Sequence, residues 1–165
     1  MNLFLLRHGL AVERDEFHFA NDELRPLTAK GQKQLRRVAA AMRSLELNYD
    51  LILSSPLVRA RQTAEIVAAK LNQPLLFVNE LKPGVEAKAL IRKINGLKRL
   101  PASLLLVGHE PDFSELISLL VTGAAGGGFA LKKGGLAKLE SEKLCAGKCA
   151  ALAWLLTPAQ LQRMR

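Results

Sequence analysis

Apolar runs of strand length alternate along this chain with stretches in which apolar residues recur at helical spacing. The nearly continuous apolar run at 102–107 is typical of a central strand in a parallel sheet. After Thr28, a predicted N-cap, apolar residues recur at i, i+3, i+4 and i+7, which predicts an amphipathic helix. Pro56 is predicted to open another helix, with Ser55 as its N-cap. The same criteria predict strands at 2–7, 49–53, 75–78, 102–107, 134–139 and 150–156, and helices at 28–45, 56–71, 86–97 and 112–121, with a short helix after Thr157 and Pro158.

The order of these elements predicts an α/β fold of three layers. Strands separated by helices of this length form βαβ units, in which a mainly parallel sheet is flanked by helices. The last two strands are predicted to pair antiparallel, and residues 9–26 and 123–128 are predicted to be loops. A length of 165 residues is typical of one domain, which we expect to span residues 1–165.

The composition is that of an ordinary soluble protein, with 49% hydrophobic and 24% charged residues. No apolar stretch reaches the roughly 18 residues that a membrane-spanning helix needs, and the run before Arg7 is too short for a signal peptide. We therefore expect a cytoplasmic protein without a membrane partner. Cys145 and Cys149 have no histidine nearby and are too few for a zinc site. They are interpreted as reduced thiols in a turn, with a reversible disulfide as the alternative.

The net charge of +9 raises the question of nucleic-acid binding. The lysines and arginines are nevertheless spread along the chain, and their densest groups, at 30–37 and 92–99, have the pattern of solvated helix faces. Aromatic residues, which would stack on bases, make up only 5% of the chain. We expect no nucleic-acid partner and interpret the basic surface as one that attracts anionic phosphorylated substrates.

Candidate chemistry begins at the end of the first predicted strand, where Arg7, His8 and Gly9 follow one another. An arginine fork binds a phosphate through two hydrogen bonds, and a neutral imidazole beside it can attack phosphorus. Glycine allows the backbone to turn sharply and to approach a ligand closely. The tripeptide therefore predicts a phosphate-handling site at this end of the sheet.

Two further strand ends carry polar motifs. Ser54-Ser55-Pro56 follows the predicted strand at 49–53, and Gly108-His109 follows the strand at 102–107. Because ligands bind at the carboxyl ends of the strands in such sheets, we expect these motifs to meet Arg7 and His8 in one site. No Gly-x-Ser-x-Gly motif is present to support a serine nucleophile. His18, in the predicted loop, is interpreted as an incidental residue.

In these motifs the chain resembles the histidine phosphatase superfamily, whose fold is called phosphoglycerate-mutase-like, and within it the small SixA-type phosphohistidine phosphatases. The resemblance covers residues 1–157. It rests on Arg7-His8-Gly9, Arg25-Pro26-Leu27-Thr28, Ser54-Ser55-Pro56 with Arg59, Gln62 and Thr63, the segment at 79–84, and Gly108-His109.

The resemblance implies a phosphatase that needs no metal and no cofactor. His8 would be the nucleophile that forms a phosphohistidine intermediate, which water then hydrolyses. For this step His8 must be neutral, with its Nδ1–H held by a backbone acceptor. Arg7 and Arg59 would bind the phosphoryl oxygens, and His109, expected to be protonated, would donate a hydrogen bond to the same oxygens. Arg25 is expected to be a further contact to the substrate.

The acid that protonates the leaving group is left open by the sequence. Glu80 falls where many relatives carry a carboxylic acid for this step, but the residues after it differ from those of mutase-like members. A phosphohistidine substrate needs less acid assistance, because its imidazole can leave already protonated. Otherwise Glu80 is a salt-bridged edge carboxylate. Glu110 is a second nearby carboxylate, which at a helix N-terminus would complement the helix dipole.

The length of the chain bears on its substrate. Members that act on sugar phosphates generally have longer insertions over the site, whereas this chain has only residues 9–26 and 79–86 as candidate rims. The resemblance and the open site favour phosphohistidine on another protein as the substrate. A small-molecule phosphomonoesterase on the same fold, and a weakly catalytic module that binds phosphate or phosphopeptides, are the alternatives.

Overall fold

The computed structural model describes residues 1–13 and 21–164, so His18 and part of the predicted 9–26 loop lie outside the described residues. The strands of this part are β1 (Asn2–Arg7), β2 (Leu51–Ser54), β3 (Leu75–Phe77), β4 (Ser103–Gly108), β5 (Leu136–Ser141) and β6 (Ala150–Leu156). Its helices are α1 (Ala29–Ser44), α2 (Val58–Leu71), α3 (Ala87–Asn95), α4 (Asp112–Thr122) and α5 (Pro158–Arg163), with short 3₁₀ turns at Asp22–Leu24 and Asn79–Leu81.

The strands form one mixed sheet in the order β3-β2-β4-β1-β5-β6. The first four strands of this order are parallel, and β5 and β6 are antiparallel additions at one edge. Leu5, near the middle of β1, lies opposite Leu106 of β4 on one side and Ala137 of β5 on the other. The predicted mainly parallel sheet with an antiparallel C-terminal pair is confirmed.

Each face of the sheet carries its own apolar layer. Leu3 and Leu5 of β1 lie in a core shared with α3 and α4, whereas Phe4 and Leu6 lie in a core shared with α1, α2 and α5. The central strands are buried on both faces, which explains why their sequences are nearly continuous apolar runs rather than alternating ones. The predicted three-layer arrangement is confirmed.

The start of α2 differs from the sequence-based prediction. This helix begins at Val58, and its N-cap is Leu57, which makes no side-chain capping bond. The prediction that Ser55 caps a helix opening at Pro56 is therefore wrong. The Ser55 hydroxyl accepts a hydrogen bond from the Leu57 N–H at 3.3 Å and lies 2.9 Å from His109 Nε2. The Ser55 side chain thus contacts His109 at the end of β4 and is not the N-cap of α2.

The start of β5 also differs, because the residues before it form a turn against the end of β1. Gly134 has a φ of +76°, a conformation that glycine adopts without strain. Its N–H donates to the carbonyl oxygens of Arg7 and His8 at 3.0 and 3.1 Å. The predicted strand start at residue 134 is therefore wrong, and β5 begins at Leu136.

Four other expectations concern the cysteines, membrane spanning, location and domain organisation. Cys145 and Cys149 are free thiols in the turn between β5 and β6, as predicted. Within residues 1–13 and 21–164, no helix is long and apolar enough to cross a membrane. The cytoplasmic location and the single-domain organisation stay predictions.

Candidate active site

Three neighbouring strands bring their polar ends together. In the sheet β4 lies between β2 and β1, so His8, Ser55 and His109 follow strands that are directly paired. The His8 N–H donates to the Gly108 carbonyl oxygen at 3.0 Å, and the Ser55 N–H donates to that of Val107 at 3.0 Å. The ring centroids of His8 and His109 are 5.1 Å apart. The predicted convergence of the motifs is confirmed.

The His8 imidazole is buried and has a defined tautomer. Its Nδ1 lies 2.7 Å from the Gly9 carbonyl oxygen, which can only accept, so Nδ1 carries the hydrogen and the lone pair lies on Nε2. Gly9 is held in turn, because its N–H donates to Thr63 Oγ1 at 3.1 Å. A Cβ at Gly9 would lie 2.5 Å from Leu35 Cδ1, so a larger residue here would displace the Leu35 side chain of α1.

Burial and neighbouring cations keep His8 neutral. Burial lowers the pKa of His8 to about 3, and the charges of Arg59, Arg7 and Lys133 act in the same direction, against the hydrogen bond to Gly9. At neutral pH, Nε2 therefore has a free lone pair. This is the protonation state that a nucleophilic imidazole requires.

His109 is also neutral, contrary to the sequence-based expectation. Only 2% of the residue is exposed. Burial lowers its pKa to about 3, and His8 and Arg59 contribute in the same direction. The expectation that His109 is protonated is therefore wrong for the free protein, because two buried imidazoles and two arginines share this small volume.

The hydroxyl of Ser55 favours one tautomer of His109. Ser55 Oγ accepts from the Leu57 N–H and lies 2.9 Å from His109 Nε2, to which it can donate its own hydrogen. In the tautomer that accepts this bond, the hydrogen of a neutral His109 lies on Nδ1. Nδ1 is buried and has no hydrogen-bond partner among the described residues. A neutral His109 is thus still a donor to a ligand in the site.

Arg59 reaches the site from the first turn of α2, and Asp22 binds it there. Its side chain is 5% exposed. Nη1 donates to the Asp22 carbonyl oxygen at 2.7 Å and Nη2 donates to Asp22 Oδ2 at 2.9 Å. Partial burial acts to raise the pKa of Asp22, but Arg59 and Arg25 outweigh it and hold the pKa below its usual range. Asp22 thus stays ionised as the counter-ion of Arg59.

The sequence analysis missed Asp22 and placed Arg25 differently. Arg25 Nε and Nη2 lie 2.8 and 2.7 Å from Asp22 Oδ1, and Arg25 Nη1 donates to the Val12 carbonyl oxygen at 2.8 Å. All three nitrogens of Arg25 therefore have protein partners, and the residue orients Asp22 toward Arg59. The only sequence signal for Asp22 was an acid three residues before Arg25. A direct contact of Arg25 with the substrate stays a prediction.

Arg7 is held by the segment that precedes β5. Its Nη1 donates to the Leu131 carbonyl oxygen at 2.9 Å, while Nε is buried without a partner among the described residues. The Leu131 N–H donates to Glu110 Oε1 at 2.9 Å, and Glu110 Oε2 accepts from the Ser114 N–H at 3.3 Å. Glu110 thus caps the first turn of α4, as expected from the dipole, and also anchors the segment behind Arg7.

Glu80 lines a pocket of about 220 Å³ together with His109 and Asp112. The pocket has apolar walls from α3 and α4, among them Leu90 and Leu116. Asp112 was not identified from the sequence. Its Oδ1 accepts from the Gly84 N–H at 3.0 Å, and its Oδ2 is buried with no partner among the described residues.

Known proteins are similar in sequence to this chain. The model of the histidine phosphatase superfamily (branch 1) matches residues 3–83. An uncharacterised protein of Picosynechococcus sp. strain PCC 7002 is 39% identical over 143 residues, which cover 86% of each chain. The phosphohistidine phosphatase SixA of Escherichia coli strain K12 is 31% identical over 126 residues, or 74% of this chain and 76% of that relative. The chain belongs to the histidine phosphatase superfamily.

Solved structures of phosphatases have the same fold as this chain. The protein histidine phosphatase SixA, solved with tungstate, superposes with a TM-score of 0.82 at 27% identity, and the match covers 98% of this chain and 99% of that one. A putative α-ribazole-5'-P phosphatase of Escherichia coli K-12 has a TM-score of 0.69 at 21% identity, with 97% and 98% covered. The predicted phosphoglycerate-mutase-like fold and the resemblance to SixA-type members are confirmed, and superfamily membership makes the chain a phosphatase of the hydrolase class.

The site of this histidine phosphatase superfamily member is suited to an oxyanion. Three buried groups beside His8 lack partners in the described part of the chain, namely Arg7 Nε, Arg59 Nε and His109 Nδ1. All three are N–H donors, and two carry positive charge, so a phosphoryl group would satisfy them by charge-assisted hydrogen bonds. Within residues 1–13 and 21–164, no group of three or more histidine, cysteine or acidic side chains is arranged to hold a metal ion.

Proposed function

We propose that this protein is a metal-independent phosphohistidine phosphatase, which removes the phosphoryl group from a histidine of another protein through a phosphohistidine intermediate on His8. The observation that carries the proposal is the buried, neutral His8, whose Nδ1–H is held by Gly9 and whose lone pair lies on Nε2. This imidazole lies among Arg7, Arg59 and His109, which together supply N–H donors for a phosphoryl group.

In the first step, His8 Nε2 attacks phosphorus. The Nε2–P bond forms as the bond from phosphorus to the substrate imidazole breaks, and that imidazole leaves as a neutral ring because its other nitrogen already carries a proton. In the second step, water attacks phosphorus, the Nε2–P bond breaks, and phosphate is released with both protons of the water. The sum is the transfer of the phosphoryl group to water, and the phosphate then loses one proton to the solvent.

The cations supply most of the catalysis in this proposal. Negative charge spreads over the non-bridging oxygens in the transition state, where preorganised donors stabilise it most. Arg7 and Arg59 act as charged donors, and His109 donates through Nδ1–H. A bound phosphoryl group raises the pKa of His109 by its negative charge, so that His109 gains its proton with the substrate rather than before it.

The role of Glu80 separates this proposal from a second candidate function. Glu80 shares the pocket of His109, so that it can protonate an alkoxide leaving group. This observation favours the small-molecule phosphomonoesterase, a class that the name of the α-ribazole-5'-P phosphatase also represents. The 31% identity with a phosphohistidine phosphatase over three quarters of the chain favours the protein substrate, for which Glu80 is dispensable.

The test compares phosphate release from a phosphohistidine-bearing carrier protein and from para-nitrophenyl phosphate, without added metal. We expect His8→Ala to abolish turnover of the carrier protein, and Glu80→Gln to leave it within about threefold, which is about 0.7 kcal/mol in the barrier. Good ester hydrolysis that collapses in Glu80→Gln would instead establish the phosphomonoesterase. Binding of phosphate without turnover of either substrate would establish a phosphate-binding module.

A further inference from the structure

A second, cationic pocket adjoins the site on the side of Arg7. It has a volume of about 560 Å³, and its charged lining residues are Arg7, Lys30, Lys132 and Lys133. We call this feature the lysine pocket. None of the acidic residues that the structure describes lines it. Its cationic lining therefore continues directly from a proposed phosphoryl ligand, Arg7, out to the protein surface.

The lysine pocket is built on backbone that is fixed to the site. Lys132 and Lys133 are exposed, but they lie between Leu131 and Gly134, which are buried. Leu131 is bonded to Arg7 and to Glu110, and the Gly134 N–H donates to the carbonyl oxygens of Arg7 and His8. Lys133 is also close enough to His8 for its charge to lower the pKa of His8. Lys133 is thus held beside the nucleophile, and Lys132 precedes it in the same segment.

Lys30 contributes a third cation to the pocket, from a position in helix α1 where a lysine is unfavourable. It lies in the first turn of α1, which contains no acidic residue. The positive end of the helix dipole favours acidic residues there and disfavours lysine. In the described residues no carboxylate forms an ion pair with Lys30, Lys132 or Lys133. A residue that opposes its local preference without compensation is expected where function requires it.

We infer that the lysine pocket binds carboxylate side chains of the phosphorylated protein, next to its phosphohistidine. This inference rests on the proposed function and identifies the class of partner surface, which is acidic around the modified histidine. A second phosphate group would be matched better by arginine forks than by mobile ammonium groups. Three separate, exposed lysines suit several carboxylates spread over a protein surface, and complementary charge of this kind favours correct encounter.

The experiment uses two peptides that each contain one phosphohistidine, with glutamates on both sides in one and glutamines in the other. The measured quantity is the ratio of kcat/KM for the glutamate peptide to that for the glutamine peptide. We expect a ratio of about ten for the unmodified protein, since several surface ion pairs contribute. In Lys132→Ala/Lys133→Ala the ratio should fall to below about three.

The matched control is Lys143→Ala/Lys148→Ala. These two lysines are exposed and lie in the turn after β5, at the opposite end of the sheet from His8. The control removes the same amount of charge as Lys132→Ala/Lys133→Ala. Because it does so far from the site, the control variant should keep the ratio of the unmodified protein. A ratio near one in the unmodified protein, or an equal fall in both variants, would overturn the inference.

Binding to the inactive variant His8→Ala separates this inference from the proposed function. The unphosphorylated glutamate peptide, carrying a fluorophore, should bind His8→Ala more tightly than the glutamine peptide does, and adding Lys132→Ala/Lys133→Ala should remove the difference. If both peptides are dephosphorylated equally and bind equally, the inference fails while the proposed function stands. If neither peptide is dephosphorylated but para-nitrophenyl phosphate is hydrolysed, the proposed function fails. Competition by a small bisphosphate alone, with no preference between the peptides, would assign the pocket to a second phosphate and overturn the inference.

Discussion

At the scale of single residues, the site depends on imidazoles that stay uncharged in a cationic environment. His8 and His109 lie with ring centroids 5.1 Å apart and are both buried. Charging either one would place a further cation next to Arg7 and Arg59. The backbone carbonyl of Gly9 and the hydroxyl of Ser55 therefore orient neutral rings instead of compensating charged ones. The positive charge of the site is left to the arginines, which can bind an oxyanion without a change in protonation.

The two histidines should make stability depend on pH. Their pKa values fall from an ordinary 6.5 to about 3 in the folded protein. The unfolded chain therefore binds more protons between these values, so that stability is full above about pH 6.5 and decreases as the pH falls toward 3. We expect each histidine to contribute up to about 1.4 kcal/mol per pH unit to the free energy of unfolding in this window. Urea denaturation from pH 7.5 to 4 measures the slope. His8→Asn should flatten it, and equal slopes for both proteins would contradict the assignment.

Asp22 should stabilise the protein through Arg59. Asp22→Asn removes the ionised partner of a guanidinium that is 95% buried as a side chain, and a hydrogen bond to a charged group contributes about 1.5–3 kcal/mol. We expect a loss of that order in the free energy of unfolding. Tungstate or phosphate should restore part of it, because an oxyanion in the site binds the folded state only.

Glu65→Gln is the control for Asp22→Asn. Glu65 is half exposed and lies 3.7 Å from Arg61 on the surface of α2, where such pairs contribute little. Its substitution should change the free energy of unfolding by less than about 0.5 kcal/mol, and oxyanions should restore nothing. Equal decreases in the free energy of unfolding of the two variants would mean that Asp22 does not stabilise the protein as the counter-ion of Arg59.

At the scale of elements, apolar patterns predicted the buried strands and the amphipathic helix α1. The convergence of Arg7-His8 with His109 follows because ligand sites in such sheets lie at the carboxyl ends of the strands. The role of Ser55 could not be predicted this way. A serine followed by proline is the usual pattern of a helix start, and the sequence does not show that this serine bonds to His109 instead. Asp22 and Asp112 were missed because each acts on a residue distant in the chain, Asp22 on Arg59 and Asp112 on Gly84.

The contact between α1 and the loop after His8 offers a test at this scale. A Cβ at Gly31 would lie 2.1 Å from the Leu10 carbonyl oxygen, which already accepts from the Thr28 N–H at 2.9 Å. Alanine is favoured over glycine inside a helix by about 1 kcal/mol, but here the clash involves backbone that cannot rotate away. We expect Gly31→Ala to lower the free energy of unfolding by about 1–3 kcal/mol and to reduce kcat, because Leu10 follows Gly9 directly.

Gly147→Ala is the comparison for Gly31→Ala. Among the described residues, its chain neighbours aside, no atom lies within 4 Å of a Cβ at Gly147, and its φ is not in the left-handed region. This variant should remain within about 0.5 kcal/mol of the unmodified protein in thermal or urea unfolding. A Gly31→Ala protein that is as stable as Gly147→Ala would show that α1 can move away from Leu10.

At the scale of the whole molecule, the net charge is +9, but each cation affects the site only if it lies close enough to it. The six residues of β1 separate the site from the opposite end of the sheet by about 20 Å. Charges are screened over about 8 Å at physiological ionic strength and over about 30 Å at 0.01 M. Cations beside His8 should therefore influence an anionic substrate at any salt concentration, whereas those at the opposite end should do so only when salt is low.

This difference predicts how two lysine pairs affect hydrolysis of para-nitrophenyl phosphate, a dianion with no protein surface. Lys143→Ala/Lys148→Ala should leave kcat/KM unchanged at 0.15 M salt and lower it about 1.5-fold at 0.01 M, since only then does the field of the turn after β5 reach the site. Lys132→Ala/Lys133→Ala should lower kcat/KM several-fold at both concentrations, because Lys133 is close enough for its charge to act on His8 and both lysines line the pocket beside Arg7. Equal effects of the two pairs at 0.15 M would mean that total charge, rather than its placement around Arg7, attracts the substrate.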